Sequence, residues 1–194
     1  MAPLRIAFQG EPGAYSEQAA LELYPQGETW PRPSFDDVFA AVTERACDYG
    51  VVPVENSLAG SIHRNYDLLL QHDLHIVGEH NLRVSHCLIA HPGARIEEIK
   101  RIYSHPQALA QCEHSLRALG GVEVIASHDT AGSVRLIAER GERDAAAIAS
   151  ARAAASVRVS PAKNLGGRAS TSSGALPALT VAASSSLVTT CSWS

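Results

Sequence analysis

Four short segments of this 194-residue sequence carry side chains that hold and protonate small anions. Gln9-Gly10-Glu11-Pro12-Gly13-Ala14-Tyr15-Ser16 joins two glycines, which let backbone N–H groups approach a ligand, to the hydroxyls of Tyr15 and Ser16. Pro53 to Ser61 offers the amide of Asn56, the hydroxyls of Ser57 and Ser61, and a glycine turn. Ser104-His105-Pro106-Gln107-Ala108-Leu109 and Ser127-His128-Asp129-Thr130-Ala131-Gly132 repeat the design. Amides and hydroxyls donate hydrogen bonds to a carboxylate, and a helix N-terminus adds unpaired N–H groups. His105 could supply or take a proton near neutral pH. Each segment also has a plainer reading. Gly13 could serve only a turn, Ser104 and Asp129 could be ordinary caps, and Asn56-Ser57 could close an Asx turn. Their joint recurrence after strands, where an open α/β sheet gathers its ligand contacts, favours the functional reading.

Other chemistries lack their residues. Nine histidines form no HxxxH pair, and His72 and His75 straddle a helix-to-strand change, so no metal centre is expected. Four cysteines (Cys47, Cys87, Cys112, Cys191) form no CxxC pair and read as free thiols of a reducing compartment. There is no GxxxxGK[ST] or GxGxxG phosphate loop. The Glu97-Glu98 and Lys100-Arg101 run reads as solvated surface.

The elements that must position these loops alternate strand and helix, the pattern of an α/β fold with a largely parallel sheet. Strands are expected at 4–8, 49–54, 74–77, 82–90, 102–104, 122–126 and 145–148. The run at 82–90 is long enough to link two lobes. Helices are expected from Tyr15 to Tyr24, after the Ser34 cap to Glu44, over 65–71, from Pro106 to Leu119, after the Asp129 cap to Arg140, and from Ser150 onward. Ser156 to Ser160 alternates like a strand. Ser160 to Ser194 holds nine Ser and four Thr, and residues 165–194 are expected to be poorly ordered.

Composition bounds the partners. The chain carries 16 Lys+Arg against 20 Asp+Glu, and all the acids lie at or before Asp144, so the body is acidic and the last 50 residues are basic. An acidic body argues against nucleic acid. No stretch of ~20 apolar residues is present to cross a membrane. The N-terminus lacks a basic-then-apolar secretory pattern, so a cytoplasmic location is expected.

Taken together, the loops resemble prephenate dehydratase. The resemblance is carried by QGEPGAYSEQAA (9–20), VPVENSLAGSI (52–62), SHPQALAQC (104–112), DTAGSV (129–134) and AAIAS (146–150), in the family's order and spacing from about Leu4 to Ala154. It implies a two-lobed α/β fold like the type II periplasmic binding proteins, with the active-site cleft between lobes. Lobe 1 would span 1–77 and lobe 2 would span 78–154. Residues 155–194 form a divergent tail whose start returns to lobe 1.

The implied reaction is the decarboxylative dehydration of prephenate to phenylpyruvate in phenylalanine synthesis. It is driven by aromatisation and needs no cofactor. Asn56, Ser57, Ser104, Gln107 and Thr130 match positions expected to touch substrate. Family members are usually homo-oligomers and, in bacteria, carry a regulatory ACT domain. The family's proton donor is the Thr of a Thr-Arg-Phe motif after the last lobe-2 helix, and its Arg pairs with a substrate carboxylate. No such tripeptide occurs here. Lys163-Asn164-Leu165 resembles the lead-in, but Gly166-Gly167-Arg168-Ala169-Ser170 follows. If those residues are encoded GGA-GGA-CGA-GCA, a one-base shift reads Glu-Asp-Glu, the acidic lead-in expected of the family. The resemblance therefore implies impaired turnover. Two other readings stand beside it: a non-catalytic module that binds a small carboxylate, and arogenate dehydratase.

Overall fold

The structure is a computed structural model that describes residues 2–56, 60–157, 160–164 and 175–183; in the last two spans it gives the course of the backbone. In strand β1 (Arg5–Gln9) side chains alternate between faces, and so the strand feeds two cores. Ile6 packs with Val51, Leu82 and the alanines of helix α1 (Tyr15–Leu23). Ala7 packs on the other side with Val38, Phe39 and Val42 of helix α2 (Phe35–Thr43). The Ser34 hydroxyl accepts from the Asp37 N–H to cap α2, as its sequence position suggested.

Strands β2 (Glu28–Arg32) and β3 (Tyr49–Pro53) flank β1 in parallel. A small hairpin of β4 (Glu55–Asn56) and β5 (Gly60–Ser61) leads into helix α3 (His63–Gln71). Strand β6 (Leu74–Arg83) then forms the far edge of the first sheet. Three residues, 84–86, pass to the second sheet, which opens with β7 (Cys87–Ala90) and continues with β8 (Arg101–Ser104). Helices α4 (Pro106–Gln111) and α5 (Glu113–Leu119) lead to β9 (Glu123–Ala126). Helix α6 (Thr130–Arg140), strand β10 (Ala145–Ala149), helix α7 (Ala151–Ser156) and strand β11 (Ser160–Asn164) complete this half.

Strand β10 again splits its side chains. Ala145, Ala147 and Ala149 face Val134 and Ile137 of α6, whereas Ala146 and Ile148 face Ala108 and Leu116 of α4 and α5. The start of the tail does not return to the first half as expected, since β11 pairs with β7 in the second sheet; it is a later strand, β12 (Ala175–Ala183), that returns to the first sheet. The sheet orders are β2-β1-β3-β12-β6 and β11-β7-β10-β8-β9.

The two halves are fastened through the β1–α1 turn. Gly13 has φ +93°, and a Cβ there would sit 2.5 Å from the Ala153 Cα, so only glycine fits against α7. The Ser150 hydroxyl donates to the Gly13 carbonyl at 2.6 Å. The buried Glu17 carboxylate accepts from the Gly13 N–H at 2.7 Å and from the Thr29 hydroxyl and the Arg152 guanidinium at 3.0 Å each. Arg135 of α6 grips Glu11 through two bonds of 2.7 and 2.9 Å.

Several expected elements differ. Strand β2 was not foreseen; it tolerates Pro31 because it lies at a sheet edge, where no ladder bond is demanded on one side. Strand β6 runs through 77 and 78, so the sheets change at 84–86 rather than at the expected 77/78 boundary. The expected 106–119 helix breaks at Cys112. Ser156 closes α7 instead of opening a strand. Within the tail expected to lack order, 175–183 forms β12, defined by antiparallel pairing to β3 on one side and β6 on the other rather than by local pattern. Residues 165–174 and 184–194 lie outside the described residues.

Candidate active site

The C-terminal ends of β1, β2, β3, β8 and β9 open onto one cleft of about 740 Å³ between the two sheets. That is where an open α/β sheet offers helix N-termini to a ligand, and the volume suits a small molecule. From the first half come Gln9 at the end of β1 and Gly10 after it, Ser34 and Asp36 after β2, Pro53 at the end of β3 and Asn56 in β4. From the second half come His105, Gln107 and Gln111 around α4, and His128, Asp129 and Thr130 at the start of α6. Ala14, Phe35, Ile62, Val84 and Ala108 give the wall its apolar part.

Of the residues expected from sequence, Asn56, Gln107 and Thr130 line this cleft together. Asn56 is only 6% exposed and sits at the end of the β4 arm. Ser57 lies outside the described residues. Ser104 is not among the lining residues. Its hydroxyl is fully buried and donates to the Ile148 carbonyl at 2.6 Å, tying β8 to β10.

The plainer readings also hold for some residues. His105 caps α4, its Nδ1 accepting from the Gln107 N–H at 3.2 Å, which leaves the ring's proton on Nε2. Asp129 caps α6 by accepting from the Gly132 N–H. Both still face the cleft. Among the described residues, the wall holds no Lys or Arg, and its second carboxylate, Asp36, is paired with Arg64. The described residues bring no group of three or more His, Cys, Asp or Glu together as a metal site would.

Sequence reasoning passed over His86 and Gln111. The His86 Nε2 lies 2.8 Å from the Gln111 Oε1, and its Nδ1 lies 2.9 Å from the Tyr15 hydroxyl. The Gln111 Nε2 points to the Asn56 Oδ1 at 3.5 Å. Burial pushes the Tyr15 phenol up and the His86 imidazole down, so both stay neutral at physiological pH. A signal for Gln111 was present: it follows Gln107 by four residues, one helical turn, and so shares its face. His86 gave none, because it lies in a run that reads as continuous strand.

The arrangement places the amides of Asn56, Gln107 and Gln111 and the Thr130 hydroxyl, beside the carboxylates of Asp36 and Asp129, around a partly apolar pocket. The sequence model of the family described as prephenate dehydratase matches residues 6–164. Two Arabidopsis thaliana proteins, Arogenate dehydratase 3, chloroplastic, and Arogenate dehydratase/prephenate dehydratase 6, chloroplastic, are each 59% identical over 152 residues. Those stretches cover 78% of this chain but 36% and 37% of the relatives, so the chain spans little more than a third of their length.

Among solved structures, GqqA, described as a quorum-quenching acylase, is 33% identical with a TM-score of 0.86 over 96% of this chain and 66% of that one. The prephenate dehydratase of Arthrobacter aurescens in complex with L-Phe superposes with a TM-score of 0.87 at 22% identity, over 97% of this chain and 63% of that one. A periplasmic substrate-binding protein of Coxiella burnetii shares the fold at TM-score 0.50 and 14% identity, covering 91% of this chain and 84% of that one. The two-lobed, binding-protein-like α/β fold follows.

The cytoplasmic location expected from the sequence does not stand, because the Arabidopsis relatives are chloroplastic proteins. Reduced thiols fit any reducing compartment and do not distinguish one from another. With its model matched from 6 to 164 and its loops on one cleft, the chain belongs to the prephenate dehydratase family.

Proposed function

We propose that the cleft binds prephenate and directs its decarboxylative dehydration to phenylpyruvate, a lyase step in aromatic amino acid synthesis. The observation that carries this reading is the convergence of Asn56, Gln107, Gln111 and Thr130, from both halves, on one apolar pocket. In the reaction the bond from the ring to its carboxylate breaks and CO₂ leaves. The electron pair moves into the ring, and the C–OH bond at the opposite carbon breaks as the hydroxyl takes a proton and departs as water. The protein's tasks are then to hold two carboxylates and to deliver that proton. The amides of Asn56, Gln107 and Gln111 and the Thr130 hydroxyl serve the first task. Ser104 holds the strand beneath them.

The second task falls, in the family resemblance, to the Thr of a Thr-Arg-Phe motif. A positioned acid is worth ~10²–10⁴ in rate. Without that tripeptide, turnover is expected to fall by about that factor while binding persists. A second reading, arogenate as substrate, is supported by the names of the 59%-identical relatives. By the same comparison a plastid location is proposed. Side-by-side assays with prephenate and arogenate, following phenylpyruvate and phenylalanine, test the reaction. Product from prephenate at a reduced rate supports the first reading, and product only from arogenate supports the second. Product from neither, with no binding of either, rejects both.

A further inference from the structure

We propose that His86 is a positioning residue whose neutral ring, protonated on Nε2, fixes the direction in which Gln111 presents its amide NH₂ to the cleft. This rests on reading the cleft as a carboxylate site. His86 stands on the 84–86 link between the two sheets. The Gln111 Oε1 can only accept, so the 2.8 Å contact places the ring proton on Nε2. In a neutral ring Nδ1 is then an acceptor, and the Tyr15 phenol lies 2.9 Å from it, edge-on to the imidazole at 5.5 Å between centroids. That single phenolic proton is shared with the Ser85 carbonyl at 2.8 Å. With its oxygen held by His86, Gln111 must turn its NH₂ toward Asn56 and the cleft. The opposite orientation would offer a carbonyl oxygen to an anionic ligand.

The path from Tyr15 through His86 and Gln111 to Asn56 leaves the first half, enters the second and returns. It therefore sets the two amides that face each other across the cleft. Burial, which disfavours the imidazolium, keeps the arrangement in one protonation state.

Two substitutions separate the ring's contacts. His86→Gln keeps a donor near the Nε2 position, whereas His86→Asn keeps a polar atom only on the Tyr15 side. Calorimetry with prephenate on the full chain is expected to give a Kd about tenfold weaker for His86→Asn, the loss of one hydrogen bond to a charged group. His86→Gln is expected to restore most of that loss. Equal effects of the two variants would overturn the proposal.

Nitrogen-15 NMR of the imidazole supplies a readout that needs no ligand. The Nε2–H tautomer at pH 7, with the Gln111 side-chain NH₂ resonances dispersed in the parent and in His86→Gln but collapsed in His86→Asn, supports it. An Nδ1–H tautomer, or Gln111 resonances indifferent to both variants, overturns it. If the parent chain does not bind prephenate, the carboxylate reading fails on its own, and the NMR outcome still decides what His86 does.

Discussion

At the scale of single residues, burial and hydrogen bonding separate the groups that face a ligand from those that hold the wall. Ser104 illustrates the second kind. Its hydroxyl is fully buried and spent on the Ile148 carbonyl, so Ser104→Ala should cost about 1–3 kcal/mol in urea unfolding by leaving that acceptor unpaired. The variant should lack the tenfold loss of affinity expected where a ligand contact is removed.

The His86 ring gives a pH signature. Burial lowers its folded value below the ordinary one, with the Gln111 hydrogen bond opposing, and the adjoining Tyr15 and Cys87 are themselves pushed up by burial. The unfolded ring takes its proton near pH 6.5, the folded ring only below that. Stability from this group is therefore complete above about pH 6.5 and is lost as pH falls. Urea midpoints between pH 7.5 and 5.5 should drop more steeply for the parent than for His86→Gln; parallel slopes would contradict this.

At the scale of elements, the seam at the β1–α1 turn is where local sequence and long-range packing meet. Gly13→Ala places a methyl group on the α7 backbone at a positive φ, costing about 1–3 kcal/mol of backbone strain and a similar amount for overlap. Thermal melts should show a large loss for this change and a smaller one for Gly60→Ala, whose added Cβ meets nothing within 4 Å. Glu17→Gln should also destabilise, by about 1–3 kcal/mol, because its carboxylate answers Gly13, Thr29 and Arg152 together.

What the sequence made legible follows the range of the interaction. The Ser34 and Asp129 caps were readable because each closes within three residues. Strand β12 was not, since Ala175–Ala183 takes its conformation from β3 and β6. The break at Cys112 was hidden as well. Asn56, Gln107 and Thr130, named by the family resemblance, line the cleft from β4 and from the first turns of α4 and α6, whereas Ser104, named with them, does not. Gln111 and His86 lie inside runs that look like continuous helix and strand, and only the fold makes them face each other.

At the scale of the whole molecule, the acid-free stretch after Asp144 acquires a specific meaning. The family match runs to residue 164, and the acid-free, serine-rich sequence that follows stands where the resemblance places the proton donor. The described wall of the cleft has no Lys or Arg to pair with a carboxylate. The molecule is thus proposed to retain the means of binding while lacking an efficient means of proton delivery. Sequencing the gene's other reading frames beyond codon 164 should show whether a Thr-Arg-Phe lies one base away.

The most direct test pairs calorimetry with turnover on the same preparation of the full chain, using prephenate. The account predicts saturable binding of one molecule per chain, weakened about tenfold by Asn56→Ala, with phenylpyruvate forming ~10²–10⁴ more slowly than in a relative carrying the Thr-Arg-Phe motif. A folded chain that binds no prephenate, or one that turns it over at the relative's full rate, would contradict it.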